Sequence, residues 1–477
     1  MLILEAGPDY GPYDPDVWPA DLLAAGDLAE SHPWEYDSGP TYPDRVVPFE
    51  RACVIGGCSS HNGCAAIWGH RADYDGWAAM GNPGWSTDEL IPLFHYANEA
   101  MRVSIPGPAQ ITPFHQYMLE SAAAAGIPMV ADLNNLDEPV GMAPSPANIW
   151  QSVRWNGAFA FLDPIRGQSN LQIVGDSLVD SIEIKNGRAQ SVRVLRDGTA
   201  HIVQAGTIVV TSGAYNSPTV LMRSGIGPAD HLASMGIGMN VDLPGVGRNL
   251  HDHPAVYVTY PGSDTLKQQL SDWGAVNWMP EEQTIAKLRS RHCTEAFDLH
   301  IYPVSEAYAG GDGPWSVTIP VSCMTPKSRG TLLLRSREPG AAPTIDHNYL
   351  GDPDGHDRNV LVDGIRIARD LTRHASQTGI LGLELEPGPA KSAEADLASW
   401  VDANVRHYFH PAGSCKMGPD SDPAAVVDSR GAVYGVPGLY VADCSIMPQV
   451  PRSNTNIPAV VVGMRVGRWL AESRTHQ

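Results

Sequence analysis

Short apolar runs punctuated by glycine and proline, rather than long amphipathic periods, organise this chain. Met1-Leu2-Ile3-Leu4 is a continuous apolar run closed by Glu5, Ala6 and Gly7, the pattern of a buried parallel strand ending on a carboxylate. Thr207 to Thr211 repeats it, runs into Ser212-Gly213-Ala214 and continues as a helix through Arg223. That helix stops at Ser224-Gly225-Ile226-Gly227-Pro228, a glycine and proline terminator. Near the C-terminus, Gly438 to Asp443 again reads as a strand ending on a carboxylate. Asn456 then precedes an apolar helix to about Glu472, with Pro458 in its first turn, where proline removes no hydrogen bond. Strand, turn and helix in this order belong to doubly wound folds, whose ligands sit at the carboxyl ends of the strands.

The stretches between are less regular. Residues 8–50 predict an extended excursion with one short helix near Asp16 to Ala29, and helices are expected over Thr87 to Met101 and Pro113 to Ala125. Asn170 to Val174 and Ser181 to Ile184 alternate like paired strands, followed by strands at Gln190 to Leu195 and His201 to Gln204. A second region, 256–404, predicts strands at His300 to Tyr302 and Ser316 to Val321, a hairpin at Gly330 to Arg335 and a helix from Asp357 to Thr372.

Composition narrows the class. With 477 residues the chain has room for two or three domains, and 47 glycines and 40 prolines favour many tight connections in a mixed α/β fold. A net charge of -21 repels nucleic acid and anionic membranes. The seven cysteines are odd in number and contain no Cys-x-x-Cys pair, which speaks against a disulfide framework or structural zinc and for a reducing cytoplasm. No apolar run reaches the roughly 18 to 20 residues that span a bilayer, and the start lacks the basic region of a signal peptide.

The candidate chemistry is concentrated in few places. His410 precedes Pro411-Ala412-Gly413, so its ring is mounted on a tight turn, and Asn456 at the mouth of the last helix is its candidate partner. Arg51 to Gly63 holds Gly56, Gly57, His61, Asn62 and Gly63 among small residues, which lets a backbone approach a flat ligand. Glu5 has the position of a ribose-binding carboxylate at the end of a second strand, or simply ends an ordinary strand. In the first case the preceding strand and its G-x-G-x-x-G turn would lie before Met1. His251, Asp252 and His253 lack a further ligand cluster, so no metal is expected, and His407 is read as a structural neighbour. A serine hydrolase is excluded by the absence of G-x-S-x-G.

Gly56 to Gly63, Ser212 to Pro228, Pro244-Gly245-Val246-Gly247-Arg248-Asn249-Leu250-His251-Asp252-His253 and His410 to Gly418 occur in an order that resembles the glucose-methanol-choline (GMC) oxidoreductases. The likeness spans the chain, and the Gly56 to Asn62 form is similar to choline oxidase and its dehydrogenase-like relatives. It implies a Rossmann-like FAD-binding domain (1–105, 168–255 and 405–477) interrupted by a sheet-based substrate domain (106–167 and 256–404). The implied reaction is oxidation of a small-molecule alcohol, with oxygen or another electron acceptor and in a chain that is a candidate homo-oligomer. His410 and Asn456 then match the catalytic pair, and Glu5, Gly57, His61, Asn62, Gly63, Val179 and Asp443 match cofactor-binding positions. His61 matches a histidine that carries covalent flavin, and His300 a further active-site histidine that would touch substrate. Met1 is expected to be an internal start or a truncation, with weak FAD binding as its consequence; the alternative reading is a cofactor-poor GMC fold without catalysis.

Overall fold

The computed structural model describes residues 1–477 except positions 27, 40–44, 138–139, 279, 281–282, 306–314 and 476–477. Leu2–Leu4 pairs in parallel with Gln172–Val174, and Ile208–Val210 pairs in parallel with Leu439–Val441. Glu5 and Asp443 therefore follow the carboxyl ends of parallel strands. The helix Gly213–Arg223 leaves the end of Ile208–Val210 directly, as the strand-turn-helix pattern predicts, and Asn456–Thr475 forms the last helix. Beside them runs an antiparallel meander of Leu178–Lys185, Arg188–Arg196 and Thr199–Gln204. Its two turns are Asn186-Gly187 and Asp197-Gly198, all four residues at positive φ, the backbone that two-residue hairpins require.

A second layer is a five-stranded antiparallel sheet in the order Ala255–Pro261, Ser316–Cys323, Leu299–Ile301, Thr284–Leu288, Gly141–Pro144. The helix His356–Gln377 lies against it and buries Val360, Leu361, Ile365, Ala368 and Leu371 with Val256, Leu299 and Val321 in one apolar core. A separate core gathers Trp77, Trp85 and Phe94 with Val210, Leu250, Met417, Val441 and Val462. Leu332, Leu334 and Ile345 pack into this core rather than into that of the five-stranded sheet.

Several local expectations change. The helix near Asp16 to Ala29 is only Ala20–Leu23, because Pro19 separates it from a turn closed on the Asp14 carbonyl and Gly26 follows closely. Gln172–Val174 does not pair with Leu178–Lys185: the first sits beside Leu2–Leu4 and the second starts the meander. Thr331–Leu333 is not a self-contained hairpin but pairs with Thr344–Asp346. A helix at Arg71–Ala79, capped by His70 and Asp73, and the elements Asp264–Gly274, Thr284–Leu288 and Glu394–Asn404 were not legible from periodicity.

Gly364 sits where the long helix crosses the sheet, and a β-carbon there would lie 2.3 Å from Val321 Cγ1 and 2.9 Å from Leu299 Cδ2. In an unencumbered helix, Gly→Ala gains about 1 kcal/mol. Here Gly364→Ala is expected to destabilise by about 1–3 kcal/mol through overpacking, read as a lower midpoint in urea unfolding.

Candidate active site

His410 is held by its main chain before its side chain acts. Phe409 takes a left-handed backbone, φ 64°, and Gly413 another, φ 85°. Between them Ala412 exchanges backbone hydrogen bonds with His251, at 3.1 and 2.9 Å. A β-carbon on Gly413 would lie 2.5 Å from His251 Cε1, so only glycine lets the two segments lie this close. Buried Asp252 completes the clamp: Oδ1 accepts the backbone N–H groups of His253 (2.7 Å) and His410 (3.0 Å), and Oδ2 accepts the Tyr349 hydroxyl at 3.0 Å.

The ring chemistry follows from burial. His410 Nδ1 lies 3.0 Å from His253 Nδ1, which leaves Nε2 as the unbonded ring nitrogen of a residue that lines the central cavity. Desolvation, then the neighbouring His253, Arg51, His300 and His407, hold the His410 pKa well below its ordinary value. The ring is neutral at working pH. Asp252 is pushed up to about 6 by burial, against the donors and the Arg51 charge that lower it. Asp252, His253 and His410 present atoms within 4.8 Å of one another, but the Asp252 oxygens are occupied by protein donors, so the group is a hydrogen-bond hub.

Asn456 begins the last helix and donates an amide N–H to Asn148 Oδ1 at 2.9 Å. Asn148 is fixed in turn by donating to the Trp155 carbonyl at 2.9 Å. This pins the Asn456 amide and leaves its oxygen and one N–H uncommitted. Asn148, His253 and the anchor Asp252 are the residues that sequence reasoning missed. The His251-Asp252-His253 run was visible, but as a weak metal signal.

One cavity of about 1010 Å³ brings together Glu5, Val179, Gly57, His61, Asn62, Gly63, Asp443, His410 and Asn456. His300 is not among its lining residues. That ring is buried, stacked on Phe297 at 5.6 Å, and neither nitrogen makes a hydrogen bond. His61 Nε2 bonds the Ser31 carbonyl at 2.9 Å, leaving Nδ1. Asp443 accepts from Gly213 N (2.9 Å), Ser217 Oγ (2.5 Å) and Ser445 N (2.8 Å), which joins the end of Leu439–Val441 to the helix that follows its neighbouring strand Ile208–Val210. Asn62 Oδ1 accepts from Cys64 N at 3.1 Å. Tyr257, Tyr302, Tyr408 and Phe409 give the His410 end aromatic walls.

Sequence profiles of the GMC oxidoreductase family match residues 27–255 and 326–463. The oxygen-dependent choline dehydrogenases of Rhizobium etli and Sinorhizobium fredii are each 31% identical to this chain, across 97% of it and 89% of their own length. Among solved structures, pyridoxine 4-oxidase from Mesorbium loti superposes with a TM-score of 0.85 at 25% identity, covering 99% of this chain and 94% of that one. A formate oxidase from Aspergillus oryzae, at 21% identity, has a TM-score of 0.85 over 100% of this chain and 94% of its own.

The cavity suits the FAD that such a family uses. Gly57 and Gly213 line it with left-handed backbones, and a β-carbon on either would meet nothing within 4 Å; both present bare main chain to a ligand. Asn454 also lines it, with a buried Oδ1 that has no protein donor. At the far end Glu5 Oε1 accepts from Gly7 N at 3.0 Å. Burial pushes its carboxyl from 4.5 to about 7, against the Gly7 and Ala6 amides that lower it.

The raised Glu5 value predicts a pH dependence. The folded, flavin-free protein holds the Glu5 proton up to about pH 7, while the unfolded chain releases it near 4.5. The stability this group contributes is thus full below pH 4.5 and lost as pH rises through 7, about 3 kcal/mol in all. Glu5→Gln should remove that part of the decline, seen in denaturant unfolding across the same window; an unchanged slope would contradict it.

Proposed function

The chain belongs to the GMC oxidoreductase family, flavin-dependent enzymes acting on alcohols, and from that premise we propose that it moves hydride from an alcohol carbon to flavin N5 while His410 takes the hydroxyl proton. FAD, when bound, supplies the hydride acceptor. The observation that carries the reading is a buried, neutral His410 with Nδ1 engaged and Nε2 left for the cavity it lines. A neutral imidazole accepts a proton at ordinary pH, and a fixed main chain holds it in place without reorganisation. Asn456, oriented by Asn148, hydrogen-bonds the same hydroxyl oxygen.

The remaining residues bind and orient. Glu5 would accept from the ribose hydroxyls of a bound FAD, the Val179 backbone would hold the adenine, and Gly57, Asn62, Gly63 and Asp443 would hold the pyrophosphate and flavin. The N-terminal end of Asn456–Thr475 opens on the cavity, where its positive dipole would favour negative charge on a bound flavin. His61 is the proposed point of covalent flavin attachment, supported by its place in the cavity wall. The two cores support a division into a cofactor-binding and a substrate-binding domain. His300, outside the cavity lining, remains a proposed contact to substrate, and dioxygen or another electron acceptor would reoxidise bound FAD.

Three measurements test these roles. His410→Gln should slow anaerobic flavin reduction by an alcohol about 100- to 10,000-fold with flavin content unchanged; wild-type rates would refute the assignment. Because the His410 pKa is depressed, kcat/KM should stay level through neutral pH and fall only well below pH 6.5. Acid precipitation should carry the yellow colour into the pellet if His61 holds the flavin, and into the supernatant for His61→Ala.

A further inference from the structure

Two imidazoles that meet nitrogen to nitrogen need one proton between them. His410 Nδ1 and His253 Nδ1 are 3.0 Å apart, and both rings are fully buried from solvent charge screening, with pKa values held down by desolvation. A bond of that length requires one Nδ1 to donate and the other to accept. If His253 donated, the neutral His410 would carry its own proton on Nε2 and could accept nothing from a substrate. If His410 donates, its Nε2 is a lone pair and His253 carries its proton on Nε2. Only the second arrangement makes His410 a base.

His253 can complete that arrangement, since burial keeps its ring neutral with a single proton to place. The nearby Pro451 carbonyl favours a proton on the His253 ring, and Nε2 makes no hydrogen bond within the protein among the described residues. Both ring nitrogens of His300 are likewise buried and without a bond, and His300 is close enough for the two rings to affect each other's charge. Asp252 fixes the relative position of the pair, since one of its oxygens accepts the backbone N–H of both His253 and His410.

We propose that His253 is the positioning residue of this active site: its Nδ1 accepts the His410 Nδ1 proton, so that His410 is held in the tautomer whose Nε2 is free to take the alcohol proton. The inference rests on His410 being the base. In the proton step the alcohol O–H bond breaks, the Nε2–H bond of His410 forms, and the resulting positive charge is shared across the Nδ1–H···Nδ1 bond with His253. No electron leaves either ring. A histidine thus fills the place that a carboxylate takes in a nucleophile-histidine-aspartate array.

His410 is also faced by Arg51 on the segment before the Gly56 turn, His407 and Tyr408 on its own segment, and His300 on the five-stranded sheet. Arg51 is charged at every working pH, so the pH profile reports on the histidines against a constant background.

The test uses the flavin-loaded enzyme. His253→Leu removes the acceptor with little change of volume, and His253→Asn places an amide oxygen near the lost Nδ1. Flavin reduction should slow about a hundredfold in His253→Leu, with substrate affinity unchanged and the acidic limb of kcat/KM displaced. His253→Asn should recover most of the rate. Equal rates and equal pH limbs in wild type and His253→Leu, with His410→Gln impaired, would overturn the role of His253 alone. An unimpaired His410→Gln would instead remove the reading on which it rests. Should His253→Leu lose its flavin, ¹⁵N-histidine spectra of the wild-type enzyme decide: a proton on His410 Nδ1 supports the proposal, and one on Nε2 overturns it.

Discussion

Asp252 is the contact on which this structure turns. Its carboxylate is buried and accepts donors from the Asn249 to His253 segment, from the His410 turn and from Tyr349. It is also the last residue but two before Ala255–Pro261, the edge strand of the five-stranded sheet. One side chain therefore joins the sheet layer to the turn that carries the candidate base. Burying a carboxylate costs several kcal/mol unless donors surround it. Here the donors are main-chain amides of the residues that must be aligned, so the desolvation of one group is offset by ordering the others.

That arrangement explains the electrostatics of the site. Arg51, His253, His300, His407 and His410 cluster in the interior, and burial keeps the imidazoles neutral. The imidazoles thus add no charge of their own to a site that holds the Arg51 guanidinium and the Asp252 carboxylate. The aromatic walls formed by Tyr257, Tyr302 and Tyr408 exclude water from the same end.

Much of the frame was legible because it depends on local signals. The strands before Glu5, Ser212 and Asp443 are short apolar runs bounded by glycine, the helix from Gly213 stops just before Gly225, and the helix from Asn456 has Pro458 in its first turn. Thr87–Ala100 and Pro113–Ala124 fall within a residue of their expected limits because Ser86 and Thr112 cap them. Pairing partners were less legible. Gln172–Val174 and Leu178–Lys185 have compatible alternation, yet their partners lie far away in sequence or beyond the next turn. The cavity collected nine of the ten expected site residues, because family motifs mark backbone positions. His300 lies outside that lining, since its place in a strand does not fix which way its ring turns. His253 escaped notice because its meaning lies in a 3.0 Å approach to a residue 157 positions away.

The most direct test of the account is the isotope effect on flavin bleaching. Flavin-loaded enzyme is mixed anaerobically with an alcohol carrying hydrogen or deuterium on its carbinol carbon. Transfer of hydride from that carbon predicts that deuterium slows the loss of yellow colour severalfold at saturating substrate. Bleaching at the same rate with both isotopologues, or none with any alcohol that binds, would contradict it.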